Sequence, residues 1–210
     1  MNTKEKFSVI IPTMWFSDKI KENLSRLNGC DEVYEIILID NNTSLKPNYI
    51  DEYAKIKYLP QEENIYVNPA WNVGVKEAKC ENICISNDDV IFDMSVFCFI
   101  KEYLELGVYG MSTNNYYIED KDSIYSVSKI SQRPWGWGCL FFINKKNWTP
   151  IHNDLKIACG DDWLIKHTEG GAYQIEGLGL SDDKVSVTSI RSEFSDRQKK
   201  DIEIWSQYLR

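Results

Sequence analysis

Two adjacent carboxylates, Asp88 and Asp89, come shortly after an apolar run at residues 83–85. A run of this kind is typical of a strand buried on both faces of a parallel sheet. Open α/β sheets bind ligands at the carboxyl ends of their strands, where this pair would lie. Adjacent carboxylates repel each other unless a cation lies beside them, and oxygen ligands suit Mg²⁺ or Mn²⁺ together with substrate phosphates. The pair therefore predicts a metal–diphosphate site, with a solvated acidic turn as the alternative.

Two further groups of acids could share that edge. Asp40 ends a second apolar run, residues 34–40, so its carboxylate would also lie at the end of a buried strand. Asp161 and Asp162 lie in a Gly-Asp-Asp-Trp turn at the start of a predicted helix. The helix dipole favours a charged carboxylate there, and a general base must be charged to accept a proton. Of the three groups, one acid could hold a nucleoside, one pair a metal-bound diphosphate and one pair an acceptor hydroxyl.

The elements before Val108 position the first two groups. Strands are predicted at residues 7–12, 34–40, 56–59 and 83–85. The predicted helices begin after Ser17, at Asn68-Pro69 and after Asp93, and the first and third end at Gly29 and Gly107. This β-α-β-β-α-β-α order predicts a parallel α/β sheet.

After Val108 the pattern changes. Residues 114–131 are polar, and a Gly/Trp loop follows at residues 133–138. We expect strands at residues 138–143 and 172–175, a short helix capped by Asp161 and ended by Gly170-Gly171, and a final helix opened by a capping box from Ser195 to Gln198. Because no linker is visible, the two parts are expected to share one sheet.

Bulk properties limit the function classes. A chain of 210 residues fits one large domain or two small ones. The net charge of −8 argues against a broad nucleic-acid-binding face. No apolar run approaches the length of a membrane span, and the first residues do not read as a signal peptide. The six scattered cysteines include no Cys-x-x-Cys pair, which is typical of reduced thiols in a cytoplasmic protein.

The order and spacing of these motifs resemble those of the inverting family-two glycosyltransferases of the GT-A fold. The matching segments are residues 9–13 (a strand ending in Pro-Thr), 37–42 (a strand ending in Asp), 71–74 (Asn-x-Gly), 86–90 (an Asp-x-Asp-type motif), 136–143 (a Gly-rich segment and strand) and 160–163 (the acidic turn). The resemblance covers residues 7–176. It implies a Rossmann-like, mostly parallel central sheet flanked by helices, with a smaller acceptor-side sheet portion.

The same resemblance implies one domain over residues 1–210. Residues 1–113 would bind the nucleotide-sugar, and residues 114–210 would bind the acceptor and supply the base. The implied metal ligand is Asp89, and the implied nucleotide-sugar-binding residues are Pro12, Thr13, Asp40, Asn42, Asn72, Asn87 and Asp88.

The second half would carry the remaining roles. Asp162 is the expected general base, with Asp161 as the alternative. Trp135 and Trp137 could stack on an acceptor sugar, and packing in the core is the alternative for both. Two departures from the family pattern stand out: Asn87 replaces a common Asp, and the Arg of the family's acceptor loop has no clear counterpart.

The implied activity is transfer of a hexosyl or pentosyl group from a UDP-sugar to an acceptor hydroxyl with inversion, using Mn²⁺ or Mg²⁺. The acceptor could be a glycan, a protein, a small molecule or hydroxymethylated DNA, in the cytoplasm of a bacterium or of a virus-infected host. A nucleotidyltransferase is one alternative, although residues 12–17 contain no Gly, Lys or Arg. A non-catalytic sugar- or nucleotide-binding module is the other.

Overall fold

The computed structural model describes residues 3–111, 124–182 and 192–209. Its main feature is a sheet of eight strands. These strands are β1 (Phe7–Thr13), β2 (Val33–Asp40), β3 (Ile56–Pro60), β4 (Asn82–Ser86), β6 (Val108–Met111), β7 (Ser126–Ile130), β8 (Leu140–Asn144) and β9 (Ala172–Glu176). A small two-stranded sheet pairs β5 (Ile91–Phe92) with β10 (Leu180–Ser181).

The helices are α1 (Lys19–Gly29), α2 (Val67–Glu77), α3 (Val96–Ile100), α4 (Gly160–His167) and α5 (Ser192–Tyr208). Short 3₁₀ turns lie at Thr43–Leu45, Asn48–Glu52, Trp137–Cys139 and Lys145–Asn147. Among the described residues, no helix is both long and apolar enough to cross a membrane.

The strand order of the large sheet is β3-β2-β1-β4-β8-β6-β9-β7. The strands β1 to β4 pair in parallel, as the alternation of strands and helices predicts. β8 is antiparallel to both β4 and β6, and β7 is antiparallel to β9. The predicted α/β fold with a mostly parallel central sheet flanked by helices is confirmed, and strands from both halves of the chain belong to one sheet.

The apolar strands have two buried faces because core lies on both sides of the sheet. Along β1, Val9 and Ile11 pack in one apolar cluster with α1 and α3, whereas Ile10 packs in the other with α2. Side chains alternate between the faces of a strand, so a strand covered on both sides must be apolar throughout.

The predicted start of α2 is wrong. The helix begins at Val67, so Asn68 and Pro69 lie inside its first turn. Asn68 is buried, and its Nδ2 donates a hydrogen bond to the carbonyl oxygen of Ala158 at 3.0 Å. A distant contact, rather than a cap, therefore explains the Asn side chain.

Other predicted boundaries also shift. Asp161 does not cap α4, because Cys159 precedes the helix and Asp161 lies in its first turn. Ser195 lies inside α5, so the capping box is wrong. α3 ends at Ile100, well before Gly107, and the Asp93 Oδ1 accepts from the Ser95 main-chain N–H.

The sequence pattern missed four short strands, β5, β6, β7 and β10. β7 occupies part of the polar segment at residues 114–131, in which no strand is predicted from the sequence, and it pairs with β9 at the edge of the sheet. An edge strand with partly exposed faces carries little apolar periodicity, so it resembles a loop in sequence. Residues 114–123 of that polar segment are outside the described residues.

Candidate active site

The carboxyl ends of β1, β2 and β4 meet at one edge of the sheet. The register of β1 on β2 places Thr13 opposite Asp40. The Thr13 Oγ1 donates a hydrogen bond of 2.7 Å to the Asp88 Oδ2, and it accepts one of 2.9 Å from the Trp15 N–H. Thr13 therefore links the first strand to the acidic turn after β4, which joins two of the segments singled out in the sequence.

Asp40 is fully buried at this edge. Its Oδ1 accepts from the Asn42 N–H at 2.8 Å, and its Oδ2 accepts from the Tyr58 hydroxyl at 2.6 Å. Burial and the bond to Asp40 both raise the pKa of Tyr58, so its phenol stays protonated and remains a donor. Asp40 thus organises the turn after β2, and a contact between Asp40 and a nucleotide stays a prediction.

The other residues expected to bind the nucleotide-sugar have local contacts. Pro12 pairs with Ile39 within the buried part of β1. The Asn42 Oδ1 accepts from the Ser44 hydroxyl at 2.7 Å. The Asn87 N–H donates to the Cys139 carbonyl at 2.9 Å, which ties the end of β4 to the start of β8.

Asn72 lies away from these contacts. Its Nδ2 donates to the Ile151 carbonyl at 2.8 Å, and its Oδ1 accepts from the Ile151 N–H at 2.9 Å. The side chain thereby holds one residue of the loop between β8 and α4. The contacts of Asn72 support a structural function, and nucleotide binding by this residue stays a prediction.

Asp161 and Asp162 lie in the first turn of α4. The Asp161 side chain is 14% exposed and the Asp162 side chain is 25% exposed. The Asp161 Oδ1 accepts from the Asp162 N–H at 3.0 Å. A Cβ at Gly138 would lie 2.7 Å from the Asp161 Oδ2, so only glycine allows this close approach.

Arg133 is the functional candidate that the sequence reasoning missed. Its Nη1 lies 3.3 Å from the Asp161 Oδ2, and its Nε donates to the Asp162 Oδ1 at 3.1 Å. Burial raises the pKa of Asp161 to about 6, whereas Arg133 acts to lower it. The sequence contained a signal for this residue, since Arg133 is the one basic residue of the Gly/Trp loop and a partly buried acid pair is stabilised by a cation.

The Asn87 N–H in the turn after β4 donates to the Cys139 carbonyl, and the neighbouring Gly138 packs closely against Asp161, so Cys139 lies near both acidic turns. Burial raises the pKa of its thiol to about 12, and the negative charges of Asp89, Asp182 and Asp161 add to that effect. Carboxylates from the turn after β4 and from α4 therefore act on the same thiol. The structure brings together the two acidic pairs that the sequence separates.

The donor set fits a divalent cation shared with a substrate. Asp88 and Asp89 are partly exposed carboxylates at the end of a buried strand. Within residues 3–111, 124–182 and 192–209, no group of three or more His, Cys, Asp or Glu side chains could hold a metal ion by itself. Mg²⁺ is commonly bound by one or two carboxylates and completed by phosphate oxygens and water, and the acids around Cys139 would favour a cation.

The two tryptophans of the Gly/Trp loop differ. Trp137 is fully buried, stacks on Phe141 at 5.6 Å between ring centroids, and donates from Nε1 to the Tyr173 carbonyl at 2.8 Å. Its expected contact with an acceptor is therefore wrong, and the alternative of core packing holds. Trp135 is 86% exposed, so its expected contact stays a prediction.

A comparison with protein families completes this picture. The model of glycosyl transferase family 2 matches residues 8–166. The chain belongs to glycosyl transferase family 2. The resemblance seen in the motifs is thereby confirmed, and the match favours a glycosyltransferase over a nucleotidyltransferase. A search of curated proteins found no match.

Solved structures of glycosyltransferases share the fold. S. aureus TarS 1-349 in complex with UDP has a TM-score of 0.64 at 16% identity, covering 97% of this chain and 72% of that chain. TarS 1-349 in complex with UDP-GlcNAc has the same TM-score and identity, covering 91% and 64%. GalNAc-T7 with UDP, GalNAc and Mn²⁺ has a TM-score of 0.60 at 12% identity, covering 87% and 44%.

The alignments span only part of these larger proteins. A further structure of TarS 1-349 matches 80% of this chain over 57% of its own length. At such identities the likeness is one of fold: a mixed α/β architecture with a large central sheet flanked by helices.

Proposed function

We propose that this protein is a metal-dependent, inverting glycosyltransferase that moves a hexosyl or pentosyl group from a UDP-sugar to an acceptor hydroxyl. The observation that carries the proposal is that residues 138–139 contact both acidic turns, through the bond from the Asn87 N–H to the Cys139 carbonyl and the close packing of Gly138 on Asp161, in a chain of glycosyl transferase family 2. The UDP and UDP-GlcNAc bound to TarS, and the UDP bound to GalNAc-T7, support the choice of nucleotide.

In this proposal, residues 1–113 form the donor side of a single domain. Asp89, with Asp88 beside it, would hold Mn²⁺ or Mg²⁺, and Thr13 fixes Asp88 through its 2.7 Å hydrogen bond. A bound divalent cation would offset the charge that grows on the leaving diphosphate. The Mn²⁺ in the GalNAc-T7 structure supports a metal at a site of this fold.

Residues 114–210 would form the acceptor side. Asp162 accepts the proton of the acceptor hydroxyl while the oxygen of that hydroxyl forms a bond to the anomeric carbon of the donor sugar. The bond from that carbon to the diphosphate breaks on the opposite face, which inverts the configuration. Asp162 is more exposed than Asp161, which supports its choice as the base. The pKa of Asp161, raised to about 6 by burial, keeps Asp161 as the alternative.

In this proposal, Trp135 would contact the acceptor. It lies two residues after Arg133, which contacts both carboxylates, and its indole is 86% exposed. A flat aromatic side chain can cover an apolar face of a sugar ring. A glycan acceptor fits this feature, and a protein, a small molecule or hydroxymethylated DNA are the other acceptors to screen. The scattered cysteines are consistent with a cytoplasmic setting.

Incubation with a panel of nucleotide-sugars and Mn²⁺ tests the proposal directly. We expect release of UDP from at least one UDP-sugar, slowly to water and faster with the correct acceptor. Proton NMR of the transferred sugar should show a β-linkage from an α-linked donor. Failure of every UDP-sugar to bind or to release UDP would overturn the donor assignment, and retention of configuration would overturn the mechanism.

A further inference from the structure

Asp201 of α5 is a fully buried carboxylate that holds another part of the chain. Its Oδ2 accepts hydrogen bonds from the main-chain N–H groups of Lys156 (3.0 Å), Ile157 (2.6 Å) and Ala158 (2.9 Å). Its Oδ1 lies 2.9 Å from the Arg197 Nε and 2.8 Å from the Arg197 Nη2. A buried charge is costly unless it is paired and hydrogen-bonded, and these five contacts meet that need.

The opposite side of the same segment is held by α2. The Asn68 N–H donates to the Lys156 carbonyl, and the Asn68 Nδ2 donates to the Ala158 carbonyl, both at 3.0 Å. A Cβ at Gly160 would lie 2.2 Å from the Asn68 Oδ1, so α4 begins in close contact with this side chain. Residues 156–158 are thus bound through their three N–H groups by α5 and through the carbonyls of Lys156 and Ala158 by α2.

This segment leads directly into the acidic turn. Cys159 follows it with φ of 61°, a left-handed conformation that residues with a Cβ rarely adopt. Such a conformation persists where the surroundings hold it, and it occurs often at functional sites. Asp161 and Asp162 come next, so the direction in which their side chains point depends on how residues 156–158 are held.

We propose that Asp201, supported by Arg197, is a positioning residue for the Asp161–Asp162 turn. Asp201 acts through the main chain of residues 156–158 and touches no substrate. This inference rests on the proposed function. A small misplacement of a catalytic group reduces the rate strongly, because reaction requires reactants in near-attack geometry. The donor-side residues are held elsewhere: Thr13 ends β1, and Asp88 and Asp89 lie in the turn after β4. Turnover and donor affinity should therefore respond differently.

The test compares Asp201→Asn with Asp196→Asn on the same helix. The first change leaves a single acceptor oxygen, so the side chain can no longer accept from the three N–H groups and from Arg197 at the same time. The second makes the same chemical change at an exposed residue that pairs only with Lys199 among the interactions described for α5. We expect Asp201→Asn to lower kcat for transfer by about tenfold or more, with the donor KM within about twofold of wild type. Asp196→Asn should behave as wild type.

Hydrogen exchange gives a readout that does not depend on activity. The amides of residues 156–158 should exchange about tenfold faster or more in Asp201→Asn, with β1 and β4 unchanged. If Asp201→Asn does not fold, Arg197→Gln removes the support of Oδ1 and should lower kcat at unchanged donor KM. Equal losses of donor affinity and kcat, or unchanged exchange at residues 156–158, would overturn the proposal. An inactive wild-type protein with the expected exchange pattern would instead count against the proposed function.

Discussion

Arg133 changes how the two acids at the start of α4 are understood. Its guanidinium group contacts both carboxylates, at 3.3 Å and 3.1 Å, and therefore offsets their mutual repulsion. The two acids nevertheless differ in environment. Asp161 is the more buried, and burial raises its pKa to about 6, whereas Asp162 is the more accessible to an incoming hydroxyl. Different environments for neighbouring carboxyl groups are how an acid pair acquires separate roles.

Substitution of each acid by its amide should separate these roles. Asp162→Asn keeps the size of the side chain but removes its basicity, so we expect kcat to fall by about a hundredfold or more. Donor affinity, measured by calorimetry with UDP and Mn²⁺, should change little, because the base acts on the acceptor. Asp161→Asn is the matched comparison. If Asp161→Asn abolishes turnover and Asp162→Asn does not, the two roles are exchanged.

The pH dependence of kcat should report the buried carboxyl group. With a pKa of about 6, Asp161 takes up a proton below that pH, so kcat at saturating substrates should fall there. A neighbouring cation favours the charged carboxylate. Arg133→Gln removes that cation, so the pKa must rise and the acid limb should move to higher pH. The negative charge of the neighbouring Asp162 also raises the pKa of Asp161.

Lys129→Gln is the control for this profile. It removes the same charge from β7, at a residue for which no contact with either acid is described. An acid limb that stays in place in Arg133→Gln, or that moves equally in Lys129→Gln, would show that a different group controls the rate.

At the scale of elements, close packing of α2 against β1 supports the donor edge. A Cβ at Gly74 would lie 2.3 Å from the Ile10 Cγ2, in the middle of the strand that ends at Thr13. The helix can approach β1 this closely only because residue 74 has no side chain. The position of β1, whose last residue Thr13 bonds to Asp88, therefore depends on Gly74 of α2. Glycine inside a helix otherwise reduces stability.

Gly74→Ala should destabilise the protein through overpacking. We expect a loss of about 1–3 kcal/mol in the free energy of unfolding, measured by urea denaturation. Gly29→Ala is the control, because a Cβ there would meet no atom within 4 Å. Activity per folded molecule should be largely retained in both variants. Equal stability of the two variants would contradict the packing argument.

At the scale of the whole molecule, metal and nucleotide should stabilise the fold together. A ligand that binds only the folded state stabilises it and so raises the melting temperature. At a ligand concentration of a hundred times Kd, the free energy of unfolding increases by about 2.7 kcal/mol. UDP with Mn²⁺ should therefore raise Tm more than UDP alone, and chelator should reverse the gain. Asp89→Asn should remove the metal-dependent part of the shift and abolish transfer while leaving the unliganded Tm close to wild type.

Two results would count against the metal assignment. Full transfer activity of the wild-type protein in excess chelator would exclude a required cation. An unchanged Mn²⁺-dependent shift in Asp89→Asn would place the cation on other residues. Asp196→Asn, which removes an exposed carboxylate far along the chain, controls for the change in net charge.

Local sequence determined the first half of the fold and the candidate residues. Strands such as β2 and β4 are largely apolar because both of their faces are covered, and the carboxylates at or just after their ends, Asp40 and Asp88–Asp89, indicate a ligand site. The order of these elements was enough to predict the mostly parallel sheet, because parallel neighbours need helical crossovers. Neither inference requires knowledge of distant contacts.

Tertiary structure decided what local patterns could not express. The roles of Arg133, Asn68 and Asp201 arise from contacts across 28 or more residues of sequence. The burial of Trp137 depends on Gly110, which leaves space for its ring in the core, and on Phe141, which stacks on that ring. Residue type and spacing indicate which chemistry a side chain can perform. The residues that this side chain contacts are determined only when distant segments of the chain pack together.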